Sequence, residues 1–244
     1  VLDIELSDLP SALLHLDRAL SFGQRVSDAQ FFKALALMQL DDLPGALKAL
    51  GAVGPSTNYA RALQEAAAIL ASQGDIGVAN TFFEQHRQTH ADGAELNFAS
   101  HAETLQILGS IEAESVLNQG ISAFPTSTRL LYARANFRER AGFFDLAEAD
   151  YRQILNLNPD DANALNALGY ALTNNTDRFA EAAGLLEEAI SKDPRNPAII
   201  DSLGWVYFKL GKERQAELLL KEAYKQYPDP EVAAHLIELL WTQG

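Results

Sequence analysis

The sequence contains no cysteine among its 244 residues, which excludes disulfide bonds, thiolate metal sites and cysteine nucleophiles. Basic residues are also scarce, because 19 Lys and Arg stand against 33 Asp and Glu and give a formal net charge of -14. Binding to nucleic acid or to an anionic membrane surface needs clustered positive charge, so this balance argues against both. No run approaches the roughly 18–20 uninterrupted apolar residues of a membrane span. The 48% of hydrophobic residues predicts a folded chain.

Motifs that carry catalysis are missing as well. We find no glycine-rich phosphate loop, no G-x-G-x-x-G, no H-E-x-x-H and no G-x-S-x-G. His86 and His90 lie four residues apart on a predicted helix, but a zinc site needs further ligands that no spacing supplies, so we interpret both as solvated polar residues. His101 falls on an apolar helix face, which predicts a buried structural histidine. The sequence therefore predicts no enzyme, no metal and no cofactor.

The chain does contain an internal repeat. An alanine recurs at spacings of 33 to 35 residues, at Ala12, Ala46, Ala79, Ala113, Ala147, Ala182 and Ala216. A proline follows the same period, at Pro125, Pro159, Pro194 and Pro228. Two ladders of one period near 34 residues are typical of helix–turn–helix solenoids.

Apolar residues mark two helices within each period. The first helix shows the i, i+3, i+4, i+7 spacing of one helical face, at Ile200, Leu203, Gly204 and Tyr207. The second helix follows the turn at Gly211, with Ala216, Leu219, Leu220 and Ala223 on one face. Asn196 before Pro197 predicts an N-cap. Because Gly204 and Ala216 are small, we expect the two helices to approach closely at these residues.

The spacing from Leu203-Gly204 through Tyr207, Gly211, Ala216 and Pro228 resembles the tetratricopeptide repeat (TPR). The resemblance implies an all-α fold, a right-handed α-solenoid (superhelix) of about 14 helices. It divides residues 1–244 into a half repeat at 1–26, six repeats at 27–59, 60–93, 94–127, 128–161, 162–196 and 197–230, and a trailing helix at 231–244. The chain begins at Val1 without Met, so we expect it to be a piece of a longer protein.

In TPR proteins, ligand contacts come from the concave groove that the first helix of each repeat lines. The resemblance carries this role to a set of polar and aromatic residues, namely Tyr132, Asn136, Arg140, Asn163, Asn166, Tyr170, Asn174, Asp201, Trp205 and Phe208. Asn side chains suit an extended peptide because they both donate and accept hydrogen bonds. The alternative for the aromatic residues is packing against neighbouring helices. The resemblance thus implies a protein or peptide partner.

Five arginines interrupt the acidity near this groove, at Arg129, Arg134, Arg138, Arg140 and Arg152. They suit an acidic partner segment, since arginine pairs well with carboxylates. They also suit salt bridges between helices, to Glu139, Glu148 and Asp150. We favour the salt bridges.

Elements near the C-terminus resemble a particular group of TPR proteins, the envelope lipoproteins of Gram-negative bacteria. The matching elements are Asp177-Arg178 with Glu181-Ala182, Pro197–Val206 and Asp229–Leu236. One member of that group is an adaptor of a periplasmic carboxyl-terminal processing protease. The resemblance implies a scaffold that docks such a protease or its substrates, in a parent held at the outer membrane by an N-terminal lipid outside this sequence. The alternatives are a structural assembly factor that oligomerises, and a cytoplasmic location.

Overall fold

The computed structural model describes residues 8–23 and 25–242, and this part of the chain forms fourteen α-helices and one short 3-10 helix. The all-α class and the number of helices predicted from the sequence are confirmed. Residues 1–7, 24 and 243–244, which the predicted half repeat and trailing helix include, lie outside the described residues. The helices are α1 Leu9–Ser21, α2 Val26–Gln39, α3 Leu43–Gly51, α4 Tyr59–Gln73, α5 Ile76–Thr89, α6 Ala94–Ile107, α7 Glu112–Ala123, α8 Thr128–Arg140, α9 Phe144–Leu157, α10 Ala162–Asn175, α11 Phe179–Lys192, α12 Pro197–Lys209, α13 Glu213–Gln226 and α14 Pro230–Thr242, with the 3-10 helix at Ala91–Gly93.

Short polar side chains begin many of these helices. Asp161 accepts hydrogen bonds from the backbone N–H groups of Asn163 and Ala164, at 3.1 and 3.0 Å. Asn196 caps α12 as the sequence predicts, by accepting from the N–H of Ala198 at 3.1 Å. Glycines in the left-handed region end first helices, as at Gly211 with a φ of 71°. These caps fix where α10 and α12 begin and where α12 ends.

The chain divides into two compact units, Val1–Ala133 and Arg134–Gly244. The single array predicted over the whole sequence stays a prediction, and we describe each unit by itself. In the N-terminal unit, α3 is only nine residues long. It stops at the Gly51 to Pro55 segment, where glycine and proline disfavour a further helical turn.

Small residues allow close helix contacts in the C-terminal unit. A Cβ on Gly204 would lie 2.9 Å from Cγ of Leu220, so α12 and α13 touch at this glycine as the sequence predicts. A Cβ on Gly169 would lie 2.6 Å from Cγ of Leu186. The second helix of one repeat also packs on the first helix of the next, because Ala223 of α13 shares a buried cluster with Val232 of α14. Small residues therefore mark the helix crossings of the C-terminal unit.

Candidate binding face of the C-terminal unit

The first helices of successive repeats lie side by side in the C-terminal unit. Helix α10 packs on α12, and α12 packs on α14, while α9 joins the end of α8 to α10. We call residues 134–140 of α8 together with α10, α12 and α14 the first-helix layer. It contains nine of the ten groove residues predicted from the sequence. The tenth, Tyr132, is half-buried and belongs to the N-terminal unit.

Helix α12 supplies the buried centre of the first-helix layer. Trp205 is 5% exposed, and its Nε1 donates a hydrogen bond of 2.8 Å to Oδ1 of Asn174 on α10. Asp201 is also 5% exposed and accepts a hydrogen bond of 2.9 Å from Nδ1 of His235 on α14. The imidazole of His235 stacks on the indole of Trp205, with ring centroids 4.2 Å apart at 17°. Helices α10, α12 and α14 are thus joined through three side chains that the sequence assigns to partner binding and through His235, which it does not.

Tyr170 extends these contacts along α10 and α14. Its hydroxyl donates a hydrogen bond to Oε1 of Glu231. Burial and the hydrogen bond to Glu231 raise the pKa of Tyr170 well above its usual value, so the phenol stays neutral. Phe208 lies beside Trp205, with ring centroids 5.4 Å apart. The alternative in which the aromatic residues pack against neighbouring helices therefore describes Trp205 well, whereas Tyr170 and Phe208 keep part of their surface exposed.

Amide side chains provide the accessible polar part of the layer. Asn163 and Asn174 on α10 and Asn136 on α8 are exposed, as is Arg140. Asn136 accepts a hydrogen bond of 3.1 Å from the hydroxyl of Tyr151. Asn166 is half-buried, and its Oδ1 is buried with no hydrogen-bond partner in the part of the chain that the structure describes. These groups can donate to and accept from the backbone of an extended chain.

Three of the five arginines near the layer, Arg134, Arg138 and Arg152, form salt bridges, as the favoured interpretation predicts. Of the predicted acceptors, Asp150 and Glu148 take part, whereas Glu139 accepts a hydrogen bond from the hydroxyl of Tyr151. Asp150, 2% exposed, pairs with Arg134 at 2.6 Å and with Arg138 at 2.8 Å. Arg152 bridges Glu148 at 2.8 Å and Glu181 at 2.6 Å. Carboxylates of the C-terminal unit therefore balance the charge of these three arginines, so an acidic partner is not needed to account for them.

Sequence reasoning missed the residues of α14 and the end of α12 that complete the face, namely Lys209, Glu231, His235 and Glu238. The repeat period itself contains the signal, because His235 lies 34 residues after Asp201, which lies 35 residues after Asn166. The three residues therefore occupy the same position in successive repeats. Continuing the ladder into the trailing helix would have placed His235 beside Asp201.

Two histidines of the N-terminal unit, His86 and His101, are structural, and the solvated interpretation of His86 is wrong. His86 is 3% exposed, because α5 turns it inward between Val53 and Asn97. Burial and the neighbouring His90 lower the pKa of His86 to about 4. His101 is 1% exposed and bonded at both ring nitrogens, so its predicted role as a buried structural histidine is confirmed. Across residues 8–23 and 25–242, no three His, Asp or Glu side chains are placed to hold a metal ion.

Comparison with known proteins decides the family. Models of the tetratricopeptide repeat match residues 113–197 and residues 176–237. The chain belongs to the tetratricopeptide repeat family. A TPR repeat-containing protein of Pseudomonas aeruginosa is 35% identical over 198 residues, which make up 81% of this chain and 34% of that protein. This TPR chain therefore spans about a third of the length of that relative.

Solved TPR structures share the fold. A thermophilic TPR protein of Thermus thermophilus superposes with a TM-score of 0.54 at 25% identity, over 62% of this chain and 84% of that chain. YrrB, a TPR protein with an unusual peptide-binding site, gives a TM-score of 0.54 at 18% identity, over 72% and 91% of the two chains. TPR proteins are generally binding scaffolds for proteins rather than catalysts. Within the described ranges, no TPR helix combines the length and the hydrophobicity needed to cross a membrane.

Proposed function

We propose that this chain is a non-catalytic scaffold that binds an extended segment of a partner protein on the first-helix layer of the C-terminal unit. The observation that carries the proposal is Oδ1 of Asn166, a buried acceptor that no donor among the described residues satisfies. A buried acceptor without a partner costs about 1–3 kcal/mol. A backbone N–H of a bound segment would remove that cost once the half-buried side chain of Asn166 rotates toward the segment, and the exposed amides of Asn163 and Asn174 lie on the same helix.

Helix α10 of the layer is also chemically suited to a main chain rather than to a charged group. Helix α10 contains no charged residue, although the chain as a whole has a net charge of -14. Amide groups bind a peptide backbone at a lower desolvation cost than charged groups do. This composition supports a partner that is recognised through the N–H and C=O groups of its backbone.

The finer proposal concerns the partner and the compartment. We propose that the scaffold acts as an adaptor that docks a protease of the carboxyl-terminal processing class, or its substrates, in the bacterial envelope. The parent protein would be periplasmic and held at the outer membrane by a lipid anchor outside this sequence. The support is the resemblance of the Pro197–Val206 and Asp229–Leu236 elements to envelope lipoproteins, together with the bacterial relative.

Photocrosslinking in cells tests the proposal. A photoreactive phenylalanine analogue replaces Asn163 in the full-length parent, and the matched control carries it at Glu188, an exposed residue on the second helix α11. We expect one dominant partner to be captured from position 163 and not from position 188. Equal capture from both positions, or capture from 188 alone, would remove the first-helix layer as the binding face.

A structural assembly factor is the second candidate. The observation that favours it is the apolar surface of α14, where Ile237 is 63% exposed and Trp241 is 86% exposed. Exposed apolar residues grouped in this way are typical of protein contacts. Light scattering of the full-length parent separates the candidates. A ring or polymer whose molar mass does not change with protein concentration supports assembly. A monomer that still captures its partner supports the adaptor.

A further inference from the structure

A lysine of this chain occupies the aromatic surface of the first-helix layer. The Nζ of Lys209 lies 3.9 Å from the ring centroid of Trp205 and 5.5 Å from that of Phe208. The same ammonium forms an ion pair of 3.2 Å with Oε1 of Glu238 on α14. Two aromatic rings and a carboxylate thus surround one cation.

This arrangement has the chemistry of a site for a cationic side chain. An ammonium or guanidinium group is attracted to the face of an aromatic ring, most strongly to tryptophan, and a nearby carboxylate adds to that attraction. The site is accessible, because the side chain of Glu238 is 54% exposed and that of Lys209 is 30% exposed. Lys209 can therefore leave the ring surface by rotating into solvent, without unfolding the helix.

The distribution of charge along the first-helix layer also favours a cation near α14. Helix α14 carries Glu231 and Glu238 and no Lys or Arg, whereas α10 carries no charge. A basic residue of a bound segment is therefore attracted toward α14.

We propose that Trp205, Phe208 and Glu238 form a subsite for a Lys or Arg side chain of the partner segment, and that Lys209 fills this subsite in the free protein. The proposal rests on the proposed function, since it names one side chain of the segment bound there. Binding replaces Lys209 by the partner's cation, so Lys209 competes with the ligand. The competition makes the subsite selective for segments whose backbone also binds the asparagines of α10.

The test uses peptides that differ at one position. The probes are acetylated and amidated heptapeptides of sequence Ser-Gly-Ser-Lys-Ser-Gly-Ser, with norleucine or Glu in place of the Lys. The readout is the indole N–H signal of Trp205 by NMR, in a W241F background that leaves one of the two tryptophans. Variants K209A and E238Q are compared with K212A, because Nζ of Lys212 lies 4.4 Å from the ring of Tyr207 and makes a similar contact elsewhere.

We expect K209A to bind the Lys peptide about three- to fivefold more tightly than the parent chain does, since an exposed cation–π contact contributes about that factor. K212A should show no gain, and K209A with E238Q should lose the preference for Lys over norleucine. Equal binding of the Lys and norleucine peptides to K209A, or no shift of the Trp205 signal with either, would overturn the subsite. The crosslink from position 163 reports the proposed function separately, because it does not depend on Lys209.

Discussion

The Nδ1 atom of His101 lies 3.1 Å from a guanidinium nitrogen of Arg87. Because arginine only donates hydrogen bonds, Nδ1 must be the unprotonated acceptor. The other ring nitrogen, Nε2, then carries the proton and donates to Oδ1 of Asn80 at 2.7 Å. Protonation of Nδ1 would place two cations in contact, and burial together with Arg87 lowers the pKa of His101 to about 3.

We predict that the N-terminal unit loses stability as the pH falls below about 6.5. His86 and His101 titrate near 6.5 in the unfolded chain but near 4 and 3 in the folded chain, so the unfolded state binds more protons between these values. The stabilisation is complete above pH 6.5, and each histidine loses roughly 2 kcal/mol of it at pH 5. Urea unfolding at pH 7.5 and at pH 5 measures the difference.

The exposed His15 provides the control for this prediction. H15Q should leave the pH dependence of unfolding unchanged. An NMR titration of the native protein in which the His101 ring signals move with a midpoint near 6.5 would contradict the account.

Glycines at helix crossings should tolerate no side chain. A Cβ on Gly169 would meet Cγ of Leu186 at 2.6 Å and the backbone oxygen of Ala182 at 3.2 Å, so we predict that G169A lowers the free energy of unfolding by about 1–3 kcal/mol. Gly184 lies within α11 with nothing near its missing Cβ. G184A should therefore raise stability by about 0.5–1 kcal/mol. Thermal unfolding of the two variants measures the contrast, and equal effects would show that the helices do not touch at Gly169.

The buried carboxylate of Asp150 should be essential to the fold of the C-terminal unit. D150N removes the charge that balances Arg134 and Arg138, and we predict a loss of about 3 kcal/mol because two partly buried cations remain. The control is D145N, at an exposed residue of the same helix, which should change stability by less than about 1 kcal/mol. Chemical denaturation measures both. A loss no larger for D150N than for D145N would show that the ion pairs contribute little.

The helices were predictable because the repeat places small and apolar residues at crossings, as at Gly204 and Ala223. The environment of the candidate site was not predictable, because Trp205 is covered by the imidazole of His235, which belongs to another repeat. His86 shows the same limit. Its position on α5 was evident, but its burial depends on Asn97 and Val53, which are distant in the sequence.

The most direct test of the central claim compares two Asn→Ala variants on α10. Oδ1 of Asn166 is unsatisfied within the described part of the chain, whereas Nδ2 of Asn175 donates to the carbonyl of Ala171 on the same helix. With the partner identified by crosslinking, isothermal titration calorimetry measures the affinity of each variant. We predict that N166A weakens binding about tenfold, since a lost hydrogen bond of this kind is worth about 1–1.5 kcal/mol. Its folded stability should not fall, because the substitution removes a buried acceptor that has no partner in the free chain. N175A should bind like the parent chain. If N166A binds its partner as tightly as N175A does, the first-helix layer is not the binding face.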